Sequence, residues 1–80
     1  MTQTEKTVFE FIRDNFDIGD DPEFTPDINI FDSGFVDSMG ATEILSFLEE
    51  NWNIEITQRE LIMYPMNTVE EIAAVVDSKL

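Results

Sequence analysis

Histidine and cysteine are both absent from this 80-residue chain. Without cysteine there are no disulfides, no thiolate metal site and no native thiol nucleophile. Without histidine the chain lacks the commonest general base and the commonest metal ligand. Cations are scarce as well. Lys6, Arg13, Arg59 and Lys79 stand against 18 acidic residues, a formal net charge of −14. Such a surface repels nucleic acid and anionic lipid. It suits basic patches on partner proteins, with attraction that weakens as salt rises. No apolar run approaches the length of a membrane span, and no signal-peptide pattern opens the chain. A cytoplasmic protein, not membrane-embedded, is expected. As an enzyme it is poorly equipped.

What is present suffices for folding. The hydrophobic fraction is 42%, with seven Phe and one Trp, too apolar for a disordered acidic tail. Residues 1–80 are expected to form a single domain with one modest core. The first helix is predicted from about Thr4 to Asp17. Thr2 and Glu5 have capping-box spacing there, and Val8, Phe11, Ile12 and Phe16 recur at helical intervals. Gly19, Pro22 and Pro26 then open a long loop. A loop of this length is uncommon unless pinned or functional, and Ile28, Ile30, Phe31, Phe35 and Val36 are its expected pins.

The second helix is predicted from Asp37 or Ser38 to about Trp52, with Ala41, Ile44, Leu45, Leu48 and Trp52 as its core stripe. Glu43, Ser46 and Glu50 lie opposite, with Met39 and Thr42 beside them. Phe47 falls off the stripe, which leaves packing under the loop or an exposed contact. A short third helix follows a Thr57/Glu60 capping box and an Ile56/Leu61 staple, and Pro65 ends it. The last begins near Thr68, with Glu71 completing another box, and buries Val69, Ile72, Ala73, Val76 and Leu80. The expected fold is all-α: a small bundle of three longer helices and one short helix, with a long loop between the first and second.

The acidic loop Asp17–Glu23 fails as an EF-hand, because Asp17, Asp20 and Asp21 are followed by Pro22 and Glu23 comes too early. Ser38 has no histidine to activate it, which argues against a serine hydrolase. It stands instead at a helix start, where backbone amides and the helix dipole favour negative charge. Two readings of Ser38 remain open on position alone: a plain N-cap, or the anchor of a phosphate ester. Gly40 in the same first turn also has two readings. Something approaches the backbone closely beside Ser38, or a first-turn glycine is simply cheap.

The run Phe31-Asp-Ser-Gly34-Phe-Val-Asp37-Ser38-Met39 resembles the attachment site of acyl carrier proteins. The resemblance extends over nearly the whole chain, including the acidic second helix, Ile54-Glu55-Ile56 and the Thr68-Val69 start of the last helix. It implies that a phosphopantetheinyl transferase esterifies Ser38 with 4′-phosphopantetheine from coenzyme A. The arm supplies the thiol that the chain lacks. It also implies that Asp37 assists transferase recognition and caps the helix. Met39, Thr42, Glu43, Ser46, Glu49 and Glu50 would form the face that docks basic patches on loading and transfer enzymes. Ser46 and Thr42 are more polar than the residues often found at those places. The expected protein is a monomeric, stand-alone, non-catalytic carrier of acyl or aminoacyl thioesters, serving lipid, fatty acid, polyketide or related biosynthesis. Asp37-Ser38-Met39-Gly40 with Asn29-Ile30-Phe31 looks more like D-alanyl carrier proteins of cell-wall modification. A competing class is an acidic interaction module without a prosthetic group. It accounts for the charge but not for the long loop ending in Asp-Ser-Met.

Overall fold

The computed structural model describes residues 1–80 and contains four helices: α1 (Gln3–Asn15), α2 (Ser38–Trp52), α3 (Gln58–Met63) and α4 (Val69–Ser78). The all-α expectation holds, with three longer helices, one short helix and the long connection between α1 and α2. Local chemistry sets the helix starts. Thr2 and Glu5 form a reciprocal capping box on α1, and Thr57 and Glu60 form one on α3, each satisfying two otherwise orphaned amides. At α4 the box is incomplete. Thr68 accepts from the Glu71 amide, but the Glu71 carboxylate reaches past it to accept from the Asn67 amide at 2.9 Å.

α1 stops at Asn15 rather than Asp17. Asp17 adopts a left-handed backbone (φ 56°), and the Ile18 amide returns to the Arg13 carbonyl at 3.2 Å, the closing bond of a Schellman turn. α2 ends similarly on left-handed Asn53. α1 packs chiefly against α4, and Thr4 Oγ1 donates to Asp77 Oδ1 at 2.7 Å. Val8 and Ile12 of α1, Ile44 and Leu48 of α2, and Val69, Ile72 and Val76 of α4 meet in one core with Phe24, Ile30, Val36 and Ile56. Leu80 is not part of it. It lies beyond the α4 cap and is 70% exposed.

The loop over residues 16–37 is pinned by apolar and polar contacts together. Ile30 and Val36 are buried as expected, and Phe24 joins them, stacking on Phe9 at 4.4 Å and meeting Phe35 edge-on at 5.6 Å. The Ile30 amide donates to the Asn67 carbonyl at 2.9 Å, and the Glu70 amide to the Pro26 carbonyl at 3.1 Å. Asn29 Oδ1 accepts from both Phe31 and Asp32 amides. These bonds tie the loop to the start of α4 and deliver Asp37 and Ser38 to a fixed place.

Candidate functional site

The first turn of α2 separates capping from presentation. Asp37, in extended backbone, is the N-cap, and its Oδ1 accepts from the Gly40 amide at 2.8 Å. Ser38 is therefore the first helical residue, not the cap. Its side chain is exposed and makes no hydrogen bond within the protein. The Ser38 and Met39 amides likewise find no protein acceptor, because the first backbone bond of the helix is Ala41 N–H to the Asp37 carbonyl at 3.1 Å. A free hydroxyl, two free amides and the positive end of a 15-residue helix thus converge. The amides and the dipole both favour a negatively charged substituent there.

Gly40 takes the first of its two sequence readings, a close approach to the backbone beside Ser38. It is buried, and a Cβ built on it would lie 2.6 Å from Phe16 Cε1 and 2.7 Å from Val36 Cγ1. The close approach comes from the protein's own α1 end and loop. It seats the α2 start against them and so fixes where Ser38 projects.

On one side of α2, an apolar cavity of about 430 Å³ opens between α2, α3 and α4. Ala41, Ile44 and Leu45 form its α2 wall, the end of α3 and the turn after it (residues 61–67) the facing wall, and Phe31 and Ile72 complete it. Ala41 stands three residues after Ser38, about one helical turn along the same helix.

The outward side of α2 carries most of the expected recognition face. Asp37, Met39, Thr42, Glu43, Ser46 and Glu50 are all exposed. Thr42, Glu43, Ser46 and Glu50 surround a shallow depression floored by Phe11 and Phe47, whose rings stack at 3.9 Å with 15° between planes. Phe47 thus packs on α1 and borders the exposed face. Its place off the core stripe was the only sequence signal for it, and nothing in the sequence pointed to Phe11 as its partner. Glu49 departs from the expected arrangement. It is half-buried, and its Oε2 accepts the Ile56 amide at 3.0 Å. That carboxylate holds the chain leaving α2 rather than facing outward.

α3 contributes no buried residue. Glu60 holds it at two points. One oxygen closes the capping box on Thr57, and the other meets Lys79 Nζ at 2.7 Å. These contacts, the Lys79 bond foremost, hold the Glu60 carboxyl below its ordinary value. No helix is long and apolar enough to cross a membrane.

The family described as "Phosphopantetheine attachment site" matches residues 6–76. D-alanyl carrier protein 1 of Lactiplantibacillus plantarum is 32% identical over 78 residues, covering 98% of this chain and 95% of the relative. D-alanyl carrier protein 2 of the same organism is also 32% identical, with the same coverage. The D-alanyl carrier protein of Lactobacillus helveticus is 32% identical over 75 residues, 94% of this chain and 92% of its own. No solved structure gives a significant match.

Proposed function

Since the chain belongs to the phosphopantetheine attachment site family, non-catalytic carriers bearing a 4′-phosphopantetheine group, we propose that Ser38 is the residue esterified and that residues 1–80 act as one carrier domain. One observation carries the assignment to Ser38. Its hydroxyl is exposed and unbonded at the first helical position, while Asp37 does the capping. The free Ser38 and Met39 amides and the α2 dipole stabilise the phosphodiester charge. The group, once attached, supplies the thiol on which acyl or aminoacyl cargo travels. Asp37, Met39, Thr42, Glu43, Ser46 and Glu50 form the surface read by a phosphopantetheinyl transferase and by loading and transfer enzymes, through basic patches that their carboxylates attract. The net charge of −14 opposes pairing of two copies and keeps the carrier monomeric.

The relatives' names favour D-alanine as cargo, and the resemblance of Asp37-Ser38-Met39-Gly40 to carriers of cell-wall modification extends the reading to that pathway, in the cytoplasm. The apolar cavity beside Ala41 and Leu45 favours a second cargo, an acyl chain. An engineered apolar cavity of about 150 Å³ already binds benzene, and this one is larger, though open on one side.

Incubation with coenzyme A and a promiscuous phosphopantetheinyl transferase tests the attachment. The wild type gains one phosphopantetheine mass. Ser38→Ala gains none and keeps its thermal midpoint, because it is not the cap. A wild type that gains nothing, or a Ser38→Ala protein that still gains mass, overturns the proposal. Loading of the modified protein with D-alanine or with octanoate then separates the two cargoes. An acyl chain in the cavity would shift the amide resonances of Leu45, Leu61 and Met66.

A further inference from the structure

A second hollow, of about 300 Å³, lies along α4. Glu71, Ala74, Val75 and Ser78 line it from that helix, spaced three and four residues apart and so forming one stripe. The cavity beside α2 reaches the same helix at Ile72, next to Glu71. The two spaces share Tyr64 and Pro65 and no other lining residue. They are neighbours, and those two residues are the wall between them.

The wall has a local cause. A residue before proline is steered out of helical backbone, and Tyr64 is extended, at φ −117° and ψ 128°. Its amide still donates to the Glu60 carbonyl at 2.9 Å. The Tyr64 backbone is therefore fixed by Pro65 on one side and by the last turn of α3 on the other. The ring belongs to no core cluster and is 48% exposed, so a smaller side chain opens the wall without cutting into the core. The far hollow tolerates apolar matter despite its two polar residues. Glu71 Oε1 accepts from the Asn67 amide at 2.9 Å, and Ser78 Oγ donates to the Val75 carbonyl at 2.6 Å. An apolar occupant leaves neither without a partner.

We infer that the Tyr64 ring is the stop that sets cargo length. An acyl chain tethered through Ser38 fills the cavity beside α2 and ends against Tyr64, and the hollow along α4 lies beyond it. This rests on the acyl-cargo reading and narrows it to chains of medium length. Continuity with the attachment site selects the occupant. Ala41 lines the near cavity one turn after Ser38, whereas no α2 residue lines the far hollow. A chain anchored at Ser38 thus meets the near cavity first, and the way onward passes Tyr64. With the ring removed the two spaces become one, and a longer chain gains further apolar burial.

The test compares wild type, Tyr64→Phe, Tyr64→Leu and Tyr64→Ala. Each is loaded from octanoyl- or hexadecanoyl-coenzyme A by a promiscuous phosphopantetheinyl transferase and checked by intact mass. Amide resonances and thermal midpoints are then read against the form bearing the bare arm. The octanoyl chain is expected to shift Leu45 and Met66 in all four proteins and Ala74 and Val75 in none. The hexadecanoyl chain is expected to shift Ala74 and Val75 in Tyr64→Ala, less in Tyr64→Leu, and not in wild type or Tyr64→Phe. It should also raise the Tyr64→Ala midpoint by about 4 °C or more over the octanoyl form, as burial of one or two further methylenes would in a domain of this size. In wild type the two cargoes should give equal midpoints. Tyr64→Leu reads the same opening if the alanine variant unfolds. The inference is overturned if the hexadecanoyl chain shifts Ala74 and Val75 as much in wild type as in the opened variants, or in none of them. Either result alongside octanoyl shifts at Leu45 sinks the stop alone. Loaded protein with no shift at Leu45 sinks the acyl-cargo reading and the stop together, and a wild type that gains no mass sinks the carrier assignment beneath both.

Discussion

Gly40→Ala sets two quantities of opposite sign against each other, and the structure decides between them. Helix propensity alone favours alanine by up to about 1 kcal/mol, less in a first turn. The added methyl would stand 2.6 Å from Phe16 Cε1 and 2.7 Å from Val36 Cγ1, distances at which something must move. Val36 is buried at 3% exposure and forms part of the core, so the move is not a simple swing into solvent. Overpacking of this kind costs about 1–3 kcal/mol. The balance is a net loss of about 1 kcal/mol, which in a domain of this size lowers the midpoint by roughly 4–8 °C. Thermal unfolding followed by circular dichroism at 222 nm reads it directly. A cycle with Phe16→Leu isolates the cause. With the ring edge gone, the cost of Gly40→Ala should shrink by about 0.5 kcal/mol or more, the coupling expected of residues in contact. A Gly40→Ala midpoint equal to or above wild type would refute the packing account and return Gly40 to a cheap first-turn choice.

Asp37→Ala removes the α2 cap and should cost about 1 kcal/mol in urea unfolding, with slower phosphopantetheine transfer. An unchanged midpoint would mean that the Asp37–Gly40 bond contributes nothing. Glu49→Gln and Glu50→Gln should behave oppositely despite adjacency. Glu49→Gln weakens an acceptor of the Ile56 amide and lowers stability by about 0.5–1.5 kcal/mol, whereas Glu50→Gln leaves stability alone and weakens enzyme binding at low salt. Identical behaviour of the two would sink the distinction. Glu60 has a carboxyl held below its ordinary value of 4.5 by Lys79. Its stabilising contribution is therefore complete above that value and is lost as pH falls through it toward the lower folded-state value. The wild type should exceed Glu60→Gln in stability near neutral pH, with the difference closing below about pH 4.5. A difference that stays constant down to pH 3 would contradict the ion pair's role.

The helices were legible in the sequence because their signals are local. The boxes at Thr2/Glu5 and Thr57/Glu60 each involve residues three apart, and the α2 stripe of Ile44 and Leu48 repeats within one helix. The missed features join residues far apart in the chain. Phe24 stacks on Phe9, the Ile30 amide meets the Asn67 carbonyl, and Phe16 closes over Gly40. Glu49 shows the same limit on a smaller scale. Its position allowed an outward carboxylate, but the unpaired Ile56 amide seven residues on drew it inward. Leu80 fitted the apolar period of α4, yet the helix ended before it.

Ser38 depended on a single hydrogen bond that spacing could not decide. Had Ser38 capped α2, its hydroxyl oxygen would have been committed to an amide of the first turn, and esterification would have placed a bulky substituent on the capping atom. With Asp37 as cap, the bond from the Gly40 amide at 2.8 Å survives whatever Ser38 carries. The same carboxylate is itself favoured by the dipole at the helix start. It adds some repulsion toward a neighbouring phosphodiester, but the free Ser38 and Met39 amides offset that charge. The loop pins and the seat of Gly40 against Phe16 and Val36 hold this turn from behind. A substituent on Ser38 can therefore swing without loosening the helix it hangs from, as a carrier that visits several enzymes requires.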